Sequence, residues 1–173
     1  GWLIARSGSW LAPFPWLAGL AFLAGAGLYR VIPSDGPAPG ARVSLVAGAQ
    51  MIRQHPAALA ALAAALLIGL ANETVFIVYG AWMEDAFGLK IAALGLASAV
   101  IGLAELGGEG TVATLVDRIG KRRAVILGTL GNAVMAILLP VVGFSVAGAL
   151  TGLFAFFLTF EFALVSLIPL MTE

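Results

Sequence analysis

The sequence has no cysteine, a single histidine and very little charge: nine Lys and Arg and nine Asp and Glu, together 10% of 173 residues. Without cysteine there can be no disulfide, no thiolate metal site and no cysteine nucleophile. His55, next to Pro56, has no companion for metal ligation, so no metal site is expected. No glycine-rich phosphate loop and no nucleophile set appear either, so neither a cofactor nor an enzymatic activity is expected. The formal net charge is zero, which gives no sign of a nucleic-acid partner. The scarcity of charge is the most informative lack. A soluble domain carries roughly a quarter charged residues, and one of this size still exposes much of its surface. With 61% hydrophobic residues and a mean hydropathy of +1.06, the chain is built for lipid.

Five apolar runs are long enough to approach the roughly 20 residues that cross a bilayer core of about 30 Å. They lie at 10–32, 57–83, 91–116, 124–142 and 146–171, and Leu, Ala and Gly dominate them. Pro13 and Pro15 fall in the opening turn of the first, where proline is tolerated. None alternates polar and apolar as barrel strands do. The expected fold is therefore an all-α, polytopic integral membrane bundle of about five transmembrane helices. Residues 84–90, 117–123 and 143–145 form short connections, so their flanking helices are antiparallel hairpins. The stretch 33–56 opens with the Pro/Gly-rich "PSDGPAPG", a linker composition. Its second half sets Val43, Val46 and Ile52 among Arg42, Gln50 and Arg53, the pattern of an amphipathic helix on the membrane surface. The chain begins "GWLIARSGSW", without an initiator Met, and stops at "IPLMTE". Both ends read as cuts through a longer protein.

Lys and Arg mark the cytoplasmic side of a membrane protein. Arg30, Arg42, Arg53, Arg118, Lys121, Arg122 and Arg123 fall in one set of connections, and only Arg6 and Lys90 in the other. This places 33–56 and 117–123 in the cytoplasm. Trp2, Trp10, Trp16 and Trp82 then all lie at the outer interface, as an aromatic belt does.

Four carboxylates sit deep in the apolar runs: Glu73, Glu105, Glu109 and Glu161. An ionised side chain at the bilayer centre costs at least about 2.5–3.5 kcal/mol. Such residues face a bundle interior or a wet cavity, and a buried carboxyl can trade a proton in a working cycle. Glu105 and Glu109 stand four apart and project from one helix face. Gly107, Gly108 and Gly110 around them allow close helix approach. Glu73, beside Asn72, lies near mid-span ahead of "VFIVYGAW", which suits a ligand site. Glu161, framed by "FFLTFEF", is ambiguous, because an aromatic stripe is more often packing than a binding site. The plainer reading of all four is that they hydrogen-bond across helices and only hold the bundle together.

The segment "ATLVDRIGKRR" resembles the cytoplasmic loop motif G-x-x-x-D-R-x-G-R-R of the major facilitator superfamily. Asp117, Arg118, Gly120, Lys121 and Arg122 occupy its positions, Arg123 adds a basic residue, and Ala113 replaces the leading glycine. The preceding "AELGGEG" resembles the drug–proton antiporter branch. Members have twelve helices in two halves joined by a cytoplasmic linker, and the chain resembles the segment from the loop before helix six through helix ten. The resemblance implies that 1–32 ends the N-terminal half, 33–56 is the linker, and 57–173 opens the C-terminal half.

It also implies alternating access to a central site, driven by protons, with Ala113, Asp117, Arg118, Gly120, Lys121, Arg122 and Arg123 as a conformational gate. Topology alone would explain the basic residues, which anchor a loop inside and touch anionic lipid. It leaves the aspartate and glycine at those spacings unexplained. The expected function is proton-coupled efflux or uptake of a small molecule across a bacterial plasma (inner) membrane. Asn72, Glu73, Glu105, Glu109 and Glu161 would line the pathway. The alternative is a non-transporting membrane subunit of a larger complex. The partners implied are the lipid bilayer, a small solute, protons, and either the missing helices of the same protein or a partner subunit.

Overall fold

The computed structural model describes residues 2–9, 11–31 and 53–171. Among these every regular element is a helix. The chain divides into two compact units, Gly1–Met51 and Ile52–Glu173. In the first, α1 (Trp2–Ser7) is followed by α2 (Pro13–Val31). Pro13 and Pro15 open α2 in its first turn, as their missing N–H groups require. Its apolar stretch, Phe14–Gly27, is shorter than the other spans. The amphipathic helix expected in the linker falls almost wholly on residues outside those described.

The second unit holds α3 (Pro56–Phe87), α4 (Ile91–Ile119), α5 (Lys121–Val142) and α6 (Val146–Met171). All four are long and apolar enough to cross a membrane. They mark the chain as a multi-pass membrane protein. Many large apolar side chains, Leu66, Ile77, Leu103, Leu130 and Ile137 among them, point outward rather than into the bundle. That is the arrangement lipid rewards and water punishes.

Helix ends follow glycine rather than charge. α3 runs through Glu84 and Asp85, which were expected in a loop, and stops only at Gly88, in the left-handed conformation. At 32 residues it is about 48 Å long, longer than a bilayer core of about 30 Å, and Glu84 and Asp85 are exposed near its end. The expected seven-residue loop 117–123 contracts to one residue. Gly120, at φ +87°, separates the last residue of α4 from the first of α5. Asp117 and Arg118 therefore close α4, while Lys121, Arg122 and Arg123 open α5. Only glycine adopts this backbone readily. Gly120→Ala is expected to destabilise the hairpin by about 1–3 kcal/mol, read as a lower unfolding midpoint in detergent.

The core lies along α6. Ala149, Leu153, Phe156, Phe157, Phe160, Ala163 and Leu167 are buried at helical spacing, and α3, α4 and α5 all pack against this helix. Phe156 and Phe157 meet edge to face at 5.4 Å, and Phe76 of α3 reaches Phe157 at 6.3 Å. α5 closes on α6 at Gly128, which lies against the backbone of Ala163. One turn on, Asn132 Nδ2 donates to the Phe156 carbonyl at 3.0 Å, a polar tie inside an otherwise apolar seam.

Candidate functional site

The α4–α6 seam determines where the glutamates go. At Gly108 the two helices touch: a Cβ there would lie 2.6 Å from Cβ of Glu161 and 2.8 Å from the Leu158 carbonyl oxygen. The missing side chain lets α4 approach, and that approach carries Glu161 toward the carboxylates flanking Gly108. Glu161 lies within electrostatic reach of Glu105 and, more weakly, of Glu109, and Glu105 in turn feels Glu109. Glu161 thus stands beside the turn of α4 that carries Glu105 and Glu109, near mid-span. Glu105 and Glu161 are half-buried and Glu109 is exposed. None of the three makes a hydrogen bond or ion pair among the described residues. No Lys or Arg lies in the central turns of α3, α4, α5 or α6.

The two glutamates of α4 belong to a longer stripe. Ser98, Gly102, Glu105 and Glu109 recur at helical spacing on one face. Ser98 meets α3, its Oγ lying 2.6 Å from the Tyr79 hydroxyl while it donates to the Leu94 carbonyl at 3.2 Å. That contact sets the register of the α3–α4 hairpin. Asn72 lies two turns before Tyr79 on α3, and Glu105 two turns after Ser98 on α4. In an antiparallel pair these positions share a depth, while α3 packs chiefly on α6. Asn72 is only 6% exposed, and its Oδ1 has no hydrogen-bond donor among the described residues. A buried amide oxygen left in this state costs about 1–3 kcal/mol. Tyr79 and Ser98 were absent from the sequence-based set, although the spacing of Ser98 to Glu105 was legible.

Not every expected residue joins. Glu73 follows Asn72 but lies about 100° further round α3 and is exposed. Its carboxylate is not among those that bear on Glu161. The motif residues form a separate place. Asp117, Gly120, Lys121, Arg122 and Arg123 line an open pocket with Val116 and Ile119 at the end of the α4–α5 hairpin. Asp117, Arg118, Arg122 and Arg123 are exposed, Lys121 is half-buried, and Ala113 faces outward one turn before Asp117. Eight residues, or about 12 Å of helix, separate Asp117 from Glu109. Among the described residues no group of three or more His, Cys, Asp or Glu is arranged to hold a metal ion.

Compared with protein families, characterised proteins and solved structures, the chain matches none.

Proposed function

We propose that the chain is part of a secondary active transporter of the major facilitator type, moving a small molecule by alternating access coupled to protons. The observation that carries this reading is that the contact at Gly108 brings Glu161 beside the α4 turn that bears Glu105 and Glu109, near mid-span, with no hydrogen bond or ion pair to any of the three among the described residues. Carboxylates held together in an apolar layer cost stability and return none through hydrogen bonds. Their natural use is to take up and release protons or a cation. The second support is the resemblance of Asp117, Arg118, Gly120, Lys121 and Arg122 to the family's loop motif. Their exposure at a helix hairpin leaves Asp117, Arg118 and Arg122 able to latch onto a facing half and let go.

The test is solute-driven proton movement. The full protein, reconstituted in liposomes with a trapped pH dye, is challenged with a panel of small solutes across a pH gradient. At least one solute is expected to move protons with it, and silence across a broad panel would count against the proposal.

Sidedness belongs to the same reading. The positive-inside distribution puts Arg122 and Arg123 in the cytoplasm and Asp85 outside. The cysteine-free chain makes this simple to check. Single Asp85→Cys and Arg123→Cys variants are expected to react with a membrane-impermeant maleimide from opposite sides of intact cells. Labelling of both from the outside would refute the topology.

A further inference from the structure

The open pocket at the α4–α5 hairpin has a volume of about 530 Å³, within the roughly 300–1,000 Å³ of small-ligand sites. Its lining fixes the sign of what it would hold. Lys121, Arg122 and Arg123 stand against the single carboxylate of Asp117, a surplus of two positive charges. Neighbouring cations repel one another, and these three open α5, whose N-terminal end is itself positive. No acidic residue stands in that first turn, and no side chain caps it. The arrangement costs stability until an anion occupies it, and a phosphate accepts from both side-chain and backbone N–H groups at such a helix start. The surroundings say which phosphate. The pocket lies where two spans meet, Ala93–Ile119 and Lys121–Val142, at the edge of the apolar layer. Val116 and Ile119 give it an apolar wall. Leu115 just before it on α4, and Ile126 and Leu127 one turn after it on α5, are large apolar side chains left exposed. A free phosphate has no use for that surface, whereas a phospholipid lays its acyl chains on it.

We propose that this pocket holds the phosphate of one anionic phospholipid, bound by Lys121, Arg123 and the backbone N–H groups at the start of α5. Arg123 is the basic residue beyond those that match the loop motif. The site therefore leaves Asp117, Arg118 and Arg122 to the latch of the transport reading, and it holds whether or not that reading does. A basic loop that merely touches anionic lipid retains no particular molecule, whereas a lined pocket retains one.

The experiment is native mass spectrometry of the full protein in detergent, titrated with phosphatidylglycerol or with phosphatidylcholine of the same acyl chains. The protein is expected to retain a single phosphatidylglycerol, at least about tenfold more tightly than phosphatidylcholine. Arg123→Gln should weaken that binding about fivefold, the contribution of one basic residue at an anionic membrane surface. Arg53 carries the same charge on the same side of the membrane but does not line the pocket, so Arg53→Gln should leave the binding unchanged. Both arginines are exposed, so neither substitution disturbs packing, and the comparison of the two lipids is read on the unaltered protein. Inorganic phosphate at the lipid's concentration should not displace it. Displacement would assign the pocket to a free phosphate and overturn the lipid site. Equal retention of the two lipids would overturn it as well. So would equal losses in the two arginine variants, the sign of diffuse attraction to a charged surface. Lipid retention in a protein that moves no protons with any solute would support this site and refute the transport reading.

Discussion

Replacing Gly108 with leucine is expected to pull α4 off α6 and to cost about 2–3 kcal/mol or more. No space exists for even the first carbon, since a Cβ at this position meets Cβ of Glu161 and the Leu158 carbonyl oxygen inside 3 Å. Backbone cannot yield as a flexible side chain can, so the helices must separate. Separation uncovers Phe156, Phe157 and Leu153, which hold the centre of the bundle. Gly110, two residues on, supplies the control. A Cβ there meets nothing within 4 Å. Gly110→Ala should therefore be neutral or gain up to about 1 kcal/mol from reduced backbone entropy. Thermal unfolding in detergent reads both, and a Gly108→Leu protein that melts with the wild type would contradict the seam described above.

The second large effect concerns Glu161 and separates function from packing. If this glutamate held the bundle together through a cross-helix hydrogen bond, an apolar replacement would cost roughly 0.6–1.7 kcal/mol. It makes no such bond among the described residues, and its neighbours are the like charges of Glu105 and Glu109. Glu161→Met, which keeps an unbranched side chain of similar length, should therefore raise the unfolding free energy by on the order of 1 kcal/mol. The same substitution should abolish proton-coupled transport. A gain in stability paired with loss of activity is the mark of a residue kept for work rather than for the fold. A drop in the melting temperature would return Glu161 to a structural role.

Much of this was legible in the sequence, and the gaps have physical causes. Four spans, their antiparallel connections and the starts of α4 and α6 follow from hydrophobic runs and the residues between them. The errors fall at charged ends: Glu84–Asp85 and Asp117–Arg123 read as loops because charge leaves the apolar layer. A helix does not end where the membrane does. α3 and α4 end instead where the backbone turns to positive φ, at Gly88 and Gly120. The pairing of Glu105 with Glu109 follows from their four-residue spacing, but the arrival of Glu161 does not. That depends on Gly108 letting two helices touch, a tertiary fact with no signature beyond one glycine among many. Asn72 and Glu73 are indistinguishable in a string, because α3 lacks the strong apolar periodicity that would say which of them faces inward. The structure buries the amide and leaves the carboxylate outside.

The central claim is that the converging carboxylates carry protons, and the most direct measurement is proton movement in a protein that keeps its fold but loses their charge. The full protein and a Glu105→Gln/Glu161→Gln variant would be reconstituted side by side and challenged with a solute that moves protons through the wild type. The account predicts at least a hundredfold slower proton movement in the variant, about 2.7 kcal/mol on the barrier, with its melting temperature unchanged or raised. Undiminished proton movement in the folded double variant would contradict it.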